Sequence, residues 1–202
     1  MDENFLEKVS ELFILNGAKT LTMDDIAQEF GISKKTLYQH YKTKENLLED
    51  VLSYKLNEVI EKLTILESTI VNAVERMFCR DSQIEKAVQA NNSILIRQLI
   101  KYYPTIFSRH IQTFSSKFTE VLVNNIKRGR EQGFYHNDFN SEMFAQLYFQ
   151  LIMSYDFSAV IDTSSILRRD FQENVMWFYM QAITTEKGKL EMNRILQKSK
   201  KN

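Results

Sequence analysis

Residues that interrupt helices are scarce throughout this chain. It contains five glycines and one proline among 202 residues, whereas average usage is roughly 7% for glycine and 5% for proline. Turns must therefore be few and secondary-structure elements long. Apolar residues recur at spacings of three and four along most of the sequence, which is the periodicity of amphipathic helices. The sequence thus predicts an all-α fold, and its length allows one or two domains.

Two short helices are predicted before residue 32. The first helix carries an apolar stripe, and Gly17 is its expected end. A second helix is expected to begin at Thr22, whose side chain can form a capping box with Asp25, and to end at Gly31. The stripe of the first helix consists of Phe5, Leu6, Val9, Leu12 and Phe13.

A third short helix and a long fourth helix follow. Ser33 is the expected N-cap of the third helix, which should run through Tyr41 with Leu37 and Tyr41 facing inward. Thr43 is the expected cap of the fourth helix, whose apolar positions continue to about Leu63 without a helix breaker. Further helices are predicted at about 68–90, 92–102, 104–132, 140–160, 165–184 and 189–197.

The segment of residues 33–44, which includes the third helix, concentrates the positive charge of its region. Residues 33–44 contain four lysines, one histidine and no acid, although the first 50 residues hold six lysines against ten aspartates and glutamates. The arrangement is a short helix, a turn and a basic helix, which is how a helix-turn-helix addresses the DNA major groove. An ordinary solvated face is the alternative reading of four lysines, but the preceding helix, the turn and the caps favour DNA binding.

The helical periodicity assigns different roles to residues of the basic helix. With Leu37 and Tyr41 inward, Lys35 and Gln39 stand near the centre of the opposite face. Lysine can reach guanine, glutamine can pair with adenine, and a threonine methyl can meet the thymine methyl. Other residues are better placed to hold phosphates, among them Lys44 at the start of the fourth helix. The predicted DNA-binding residues are Thr22, Ser33, Lys34, Lys35, Thr36, Tyr38, Gln39, His40 and Lys44.

The segment from Thr22 to Leu48 resembles the N-terminal signature of the TetR/AcrR family of bacterial regulators. The resemblance rests on Ile-Ala at 26–27, Gly-Ile-Ser at 31–33, Leu-Tyr-Gln-His-Tyr at 37–41 and Lys-Glu-Asn-Leu at 44–47. Tyr41 stands where the family usually has phenylalanine, and Thr36 where it usually has a small residue. The family resemblance implies a homodimeric, ligand-responsive DNA-binding protein, usually a repressor. Its C-terminal helices would then hold an effector pocket and form the dimer interface.

Aromatic and methionine residues of the later helices give candidates for both of these roles. Most of them are expected to be ordinary core, but the last two long helices carry bulky residues on more than one face, and a second copy of the chain could cover the surplus. The predicted interface residues are Phe149, Met153, Phe157 and Trp177. A cavity for a hydrophobic or mildly polar effector would be lined by Met77, Arg97, Tyr102, Phe107, His110, Phe114 and Phe118.

Several other classes of function lack sequence support. The three histidines lie in different predicted elements, and the single cysteine, Cys79, has no partner at metal-ligand spacing. Phosphate-binding loops and motifs that pair a nucleophile with a base are missing, so no enzyme activity, metal or cofactor is expected. The balance of 26 basic and 26 acidic residues is unlike a membrane-surface protein. The longest apolar stretch is interrupted by polar residues, and no signal peptide opens the chain, so a cytoplasmic protein is expected.

The sequence therefore predicts a helix-turn-helix DNA-binding domain at residues 1–44 and a helical effector-binding and dimerisation domain at 45–202. The expected function is sequence-specific binding of a palindromic operator by a homodimer, with release by an unidentified small molecule. A helical protein–protein interaction module without sequence-specific DNA binding is the alternative.

Overall fold

The computed structural model describes residues 1–79, 94–158 and 160–199. These residues form ten α-helices, with one isolated β-bridge between Tyr135 and Thr184. The predicted all-α fold is therefore confirmed. The helices are α1 (Glu3–Asn16), α2 (Met23–Glu29), α3 (Lys34–His40), α4 (Lys44–Thr69), α5 (Ala73–Phe78), α6 (Ile94–Tyr102), α7 (Pro104–Glu131), α8 (Ser141–Phe157), α9 (Arg168–Ile183) and α10 (Glu186–Ser199).

Two compact units divide the described residues. The first contains Met1–Ile60 and the described part of Lys86–Phe114, and the second contains the described parts of Glu61–Glu85 and Ser115–Asn202. The first unit therefore includes the three N-terminal helices, most of α4, all of α6 and the start of α7. The compact unit that contains the predicted DNA-binding domain thus extends beyond the 44 residues of that domain. The functional boundary after Lys44 stays a prediction.

The core of the first unit holds α3 in place. Leu37 on α3 is fully buried, and Tyr41 directly after α3 is also buried. The Phe5 ring of α1 lies 4.6 Å from the ring of Phe30 and 6.3 Å from that of Tyr41. Burial of one such apolar side chain stabilises the fold by about 1.5–3 kcal/mol. Leu99 of α6 joins the same core.

The predicted helix starts are confirmed by their caps. The Thr22 hydroxyl accepts a hydrogen bond from the Asp25 amide at 3.1 Å, and the Asp25 carboxylate accepts one from the Thr22 amide at 2.8 Å, which completes a capping box. The Ser33 hydroxyl accepts from the Thr36 amide at 3.0 Å. The Thr43 hydroxyl accepts from the Asn46 amide at 3.2 Å, at the start of α4.

The predicted boundaries after α4 are wrong by several residues. α4 continues past Leu63 to Thr69, and the next helix begins at Ala73 rather than near Ser68. The reason is a cap that sequence periodicity did not reveal: the Asn72 side chain accepts from the Glu75 amide at 2.9 Å. The predicted end of one helix near residue 90 and the predicted start of the next near residue 92 lie outside the described residues. Further along, α8 ends at Phe157, α9 begins at Arg168, and α10 spans Glu186–Ser199.

The second unit has its own apolar core. Buried residues of α5, α7, α8, α9 and α10 form one cluster that includes Met77, Ile126, Tyr148, Met180 and Met192. Tyr135 in the turn between α7 and α8 also belongs to it and is 1% exposed.

Candidate nucleic-acid interface

The inner side of α3 is packed and its outer side is exposed. On α3, five residues of the predicted DNA-binding set project into solvent, and Thr36 is half-buried. Tyr38 is 46% exposed. The exposed residues are Lys34, Lys35, Tyr38, Gln39 and His40. The predicted orientation of α3 is thus confirmed, while the contact made by each side chain stays a prediction.

An acidic residue of α2 compensates the first lysine of α3. The Lys34 ammonium nitrogen lies 2.5 Å from a carboxylate oxygen of Asp24, and both side chains are more than half exposed. This hydrogen bond raises the pKa of Lys34 above its usual value. A DNA phosphate that binds Lys34 must therefore compete with Asp24. Asp24 was not among the predicted site residues, although its acidic neighbour Asp25 was recognised as a cap.

The Thr22 hydroxyl is committed to the capping box. It donates to a carboxylate oxygen of Asp25 at 2.7 Å while it accepts from the Asp25 amide. The side-chain hydrogen bond from Thr22 is the main cause of a lowered pKa of Asp25, which keeps this carboxylate ionised. A phosphate contact by the Thr22 hydroxyl would require that its bond to Asp25 break.

Lys44 lies in the first turn of α4 with its ammonium held in place. Its Nζ donates to the Lys19 carbonyl oxygen at 3.2 Å. Partial burial is the main cause of a lowered pKa of Lys44, while Glu45 and Asp25 act in the opposite direction. A lysine fixed in this way loses less side-chain entropy when it binds a phosphate than a fully mobile surface lysine does.

The residues predicted to line an effector pocket divide between the two units. Met77 and Phe118 belong to the second unit, whereas the other five belong to the first. Arg97 and Tyr102 are exposed, and the Tyr102 ring lies under the Lys19 ammonium at 3.9 Å. Exposure of these two side chains argues against their lining an enclosed cavity. The Nε2 atom of His110 is buried, and burial lowers the pKa of this imidazole. The predicted pocket stays a prediction.

An open groove of about 780 Å³ lies elsewhere in the second unit and shares no residue with the predicted pocket. It runs along the end of α4, the start of α5 and the end of α7, with Lys187 from α10. Its lining is mixed, since Glu75 and Glu131 stand beside Ile70 and Phe134.

The four residues predicted for the dimer interface differ in exposure. Phe149, expected to face outward, is 5% exposed, and its ring centroid lies 5.3 Å from that of Phe118. This expectation is wrong because the neighbouring α7 covers that side of α8. Met153 is half-buried, while Phe157 and Trp177 are exposed.

Three further apolar residues of α8 and α9 are exposed and were not predicted. Met143 and Leu147 lie on α8 four residues apart, and Phe178 follows Trp177 on α9. Their helical spacing places Met143 and Leu147 on one stripe with Phe157. Recognising this stripe from sequence would have required knowing which side of α8 packs on α7.

The described residues contain neither a helix long and apolar enough to span a membrane nor a group of three or more side chains suited to hold a metal ion.

Comparison with known proteins identifies the N-terminal segment. Residues 5–51 match the family model described as "Bacterial regulatory proteins, tetR family". The chain is 30% identical over 105 residues to an uncharacterised helix-turn-helix transcriptional regulator, YvaF, of Bacillus subtilis, a match that covers 51% of this chain and 54% of that protein. It is 24% identical over 135 residues to the regulator NfxB of Pseudomonas aeruginosa, covering 65% and 68% of the two chains.

Solved structures of similar fold cover nearly the whole chain. A transcriptional regulator from Cytophaga hutchinsonii superposes with a TM-score of 0.72 at 18% identity, over 91% of this chain and 98% of that one. A regulator from Saccharomonospora viridis in complex with choline gives 0.70 at 18% identity, over 90% and 96%. FadR from Bacillus subtilis in complex with stearoyl-CoA gives 0.63 at 14% identity, over 87% and 96%.

Three observations indicate the same family: the signature residues, the capped helix-turn-helix and the similarity to known regulators. The relatives are transcriptional regulators, which confirms the expectation of a protein that is not an enzyme. The resemblance to the TetR family of bacterial regulatory proteins is thus confirmed for residues 5–51 of this chain.

Proposed function

We propose that this chain is a cytoplasmic transcriptional repressor that binds a palindromic operator as a homodimer and releases it when a small molecule binds. Its DNA-binding character is supported by the match of residues 5–51 to the family model and by relatives that are transcriptional regulators. The repressor role, the dimer, the operator symmetry and the ligand response are the proposed part.

The observation that carries this proposal is the exposed outer face of α3. Ser33 caps the helix and Leu37 anchors it in the core. The fold therefore directs Lys35 and Gln39 outward in the absence of DNA. Both are side chains that can reach base edges in a major groove. Seven helical residues span about 10 Å, which fits a groove about 12 Å wide.

Exposed apolar residues on α8 and α9 support the homodimer. Trp177 and Phe178 on α9 are 52% and 63% exposed. Helix α9 packs against α8, and three apolar residues of α8 are also exposed, namely Met143, Leu147 and Phe157. A monomer rarely leaves such large apolar residues together in water, and a two-fold axis lets one patch cover its own copy.

The proposed ligand response is supported by two proteins of similar fold that were solved with small molecules. One holds choline and the other stearoyl-CoA. Choline is a cation and stearoyl-CoA carries phosphates, so these relatives do not indicate the charge of a ligand for this chain. That information must come from its own residues.

Selection of bound sequences from a random DNA pool tests the proposal. We expect an inverted repeat whose half-sites are about one helical turn, roughly 34–36 Å, apart or a multiple of that distance. The variant Gln39→Ala should select a degenerate sequence at one position of each half-site. Recovery of no common sequence by the parent protein would contradict the proposed operator binding.

A further inference from the structure

Three ionised side chains meet inside the second unit. Glu67 of α4 and Arg76 of α5 are 7% and 8% exposed, and Arg128 of α7 is half-buried. Two guanidinium groups thus accompany one carboxylate, which leaves one positive charge in excess. Buried charge is costly unless it is balanced.

Glu67 pairs mainly with one of the two arginines. Its Oε1 lies 2.6 Å from Nη2 of Arg128, whereas its Oε2 lies 3.5 Å from Nε of Arg76. Both contacts are ion pairs. Arg128 also donates to the Ile70 carbonyl oxygen at 2.8 Å. The excess charge therefore resides at Arg76.

Arg76 has only weak compensation. Its Nη2 donates to the Leu63 carbonyl oxygen at 3.3 Å, while its buried Nε makes no hydrogen bond to a described residue. Burial is the main cause of a lowered pKa of Arg76 and outweighs the opposing effect of Glu67.

Two tyrosine hydroxyls in the core of the second unit also lack good acceptors among the described residues. The ring centroids of Tyr148 on α8 and Tyr179 on α9 are 4.6 Å apart, and the proximity of Arg76 acts to lower the pKa of Tyr148 against the larger effect of burial. Among the described residues, the acceptor of the Tyr148 hydroxyl is the Met176 sulfur at 3.6 Å, a weak acceptor. The buried Tyr179 hydroxyl makes no hydrogen bond to any described residue. By contrast, the Tyr135 hydroxyl donates to the Ala73 carbonyl oxygen at 3.0 Å.

We propose that Arg76, Tyr148 and Tyr179 form the binding site for the carboxylate of a small effector with an apolar body. A carboxylate supplies the acceptor oxygens that these three donors lack, and its single charge equals the excess charge of the cluster. Guanidinium groups bind carboxylates with well-defined geometry. The apolar body follows from the surroundings, since Met77 and Phe118 belong to the same core. This inference rests on the proposed ligand response and specifies its chemistry.

The unliganded protein gives the first test, which needs no knowledge of the natural ligand. Arg76→Met removes a charge that the fold does not balance, so the Tm should stay unchanged or rise. The matched variant Arg128→Met breaks the closer ion pair and should lower the Tm by about 6 °C or more. A comparable loss of Tm in Arg76→Met would show a structural ion pair and overturn the proposal.

The second test uses octanoate, octan-1-ol and octylammonium, which share a tail and differ in charge. Calorimetry without DNA should show that the parent binds octanoate and neither of the other two at millimolar concentration. Arg76→Met should weaken octanoate binding at least tenfold, and Tyr179→Phe should also weaken it without lowering the Tm. Tyr135→Phe is the control: it should lower the Tm, because its hydroxyl is bonded, but leave octanoate binding unchanged.

Binding of all three probes alike, no binding of octanoate, or equal binding by the parent and Arg76→Met would each overturn the carboxylate site. These results do not involve DNA, so they are separate from a failure of the proposed repressor function. That failure would appear as a loss of operator selection in a protein that still binds octanoate.

Discussion

The ammonium of Lys34 at the start of α3 lies 2.5 Å from a carboxylate oxygen of Asp24 at the start of α2. The first lysine of the basic helix is therefore paired, before any DNA binds, with an acid of the helix that precedes it. Because both side chains are largely exposed, such a pair adds little to stability. It does reduce the positive charge that α3 presents to a phosphate backbone.

Replacement of Asp24 by asparagine should strengthen DNA binding. Asp24→Asn frees Lys34 and removes one negative charge, so affinity for specific and random duplexes should rise alike, by up to about fivefold. The dependence of log K on log salt should become steeper by about one unit. Glu11→Gln, an exposed position of α1, removes the same charge elsewhere and serves as the control. An unchanged salt slope in Asp24→Asn would argue against a phosphate contact by Lys34.

Gln39 and Lys44 should differ in the kind of DNA contact that they make. Gln39→Ala should cost roughly 1–3 kcal/mol on the selected operator and nothing on random DNA, because it removes a base contact. Lys44→Ala should weaken both duplexes alike, since phosphates carry no sequence information. Fluorescence anisotropy with the two duplexes measures both effects. If both variants respond in the same way, the assignment of roles is wrong.

Tyr41 should make the stability of the protein sensitive to alkaline pH. Burial, followed by the nearby Asp50 carboxylate, raises the pKa of Tyr41 from 10.0 to about 12. Above pH 10 the unfolded chain loses the Tyr41 proton before the folded chain does. The stabilisation that comes from this proton is therefore complete below pH 10 and is lost as the pH rises to about 12. Tyr41→Phe lacks this group, and its Tm should fall less over that interval. Parallel Tm curves would show that Tyr41 does not titrate as described.

Charges on the apolar face of α9 should separate the dimer. Trp177→Glu with Phe178→Glu changes two exposed side chains, so the chain should still fold, but as a monomer. Its operator affinity should be near the nonspecific level, because a single DNA-binding domain contacts only one half-site. Leu190→Glu, an exposed position of α10, is the control and should stay dimeric. Light scattering gives the molar mass. A parent that is monomeric at micromolar concentration would rule out the proposed assembly.

The structure of the DNA-binding domain could be predicted in detail because the sequence features that determine it are local. The caps at Thr22, Ser33 and Thr43 act within three residues of themselves, and the inward spacing of Leu37 and Tyr41 requires only helical geometry. The pair of Lys34 and Asp24 was missed because it joins two helices across a turn, where sequence spacing does not show which side chains meet.

Predictions for residues 45–202 were less accurate because the apolar helices of this part of the chain carry bulky residues on several sides. Periodicity could not decide that Phe149 faces Phe118 while Trp177 faces solvent. Glu67, Arg76 and Arg128 come from three helices, and no sequence motif brings them together. Partners distant in sequence are set by tertiary packing, which periodicity does not report.

The ratio of affinities for the selected operator and a scrambled duplex tests the central claim most directly. It should be measured by anisotropy at one fixed, physiological salt concentration, since affinities without a salt concentration cannot be compared. We expect the operator to bind at least about 10³-fold more tightly than the scrambled duplex. Equal affinity for the two duplexes would show that the exposed face of α3 does not read sequence, and the proposed repressor function would then be wrong.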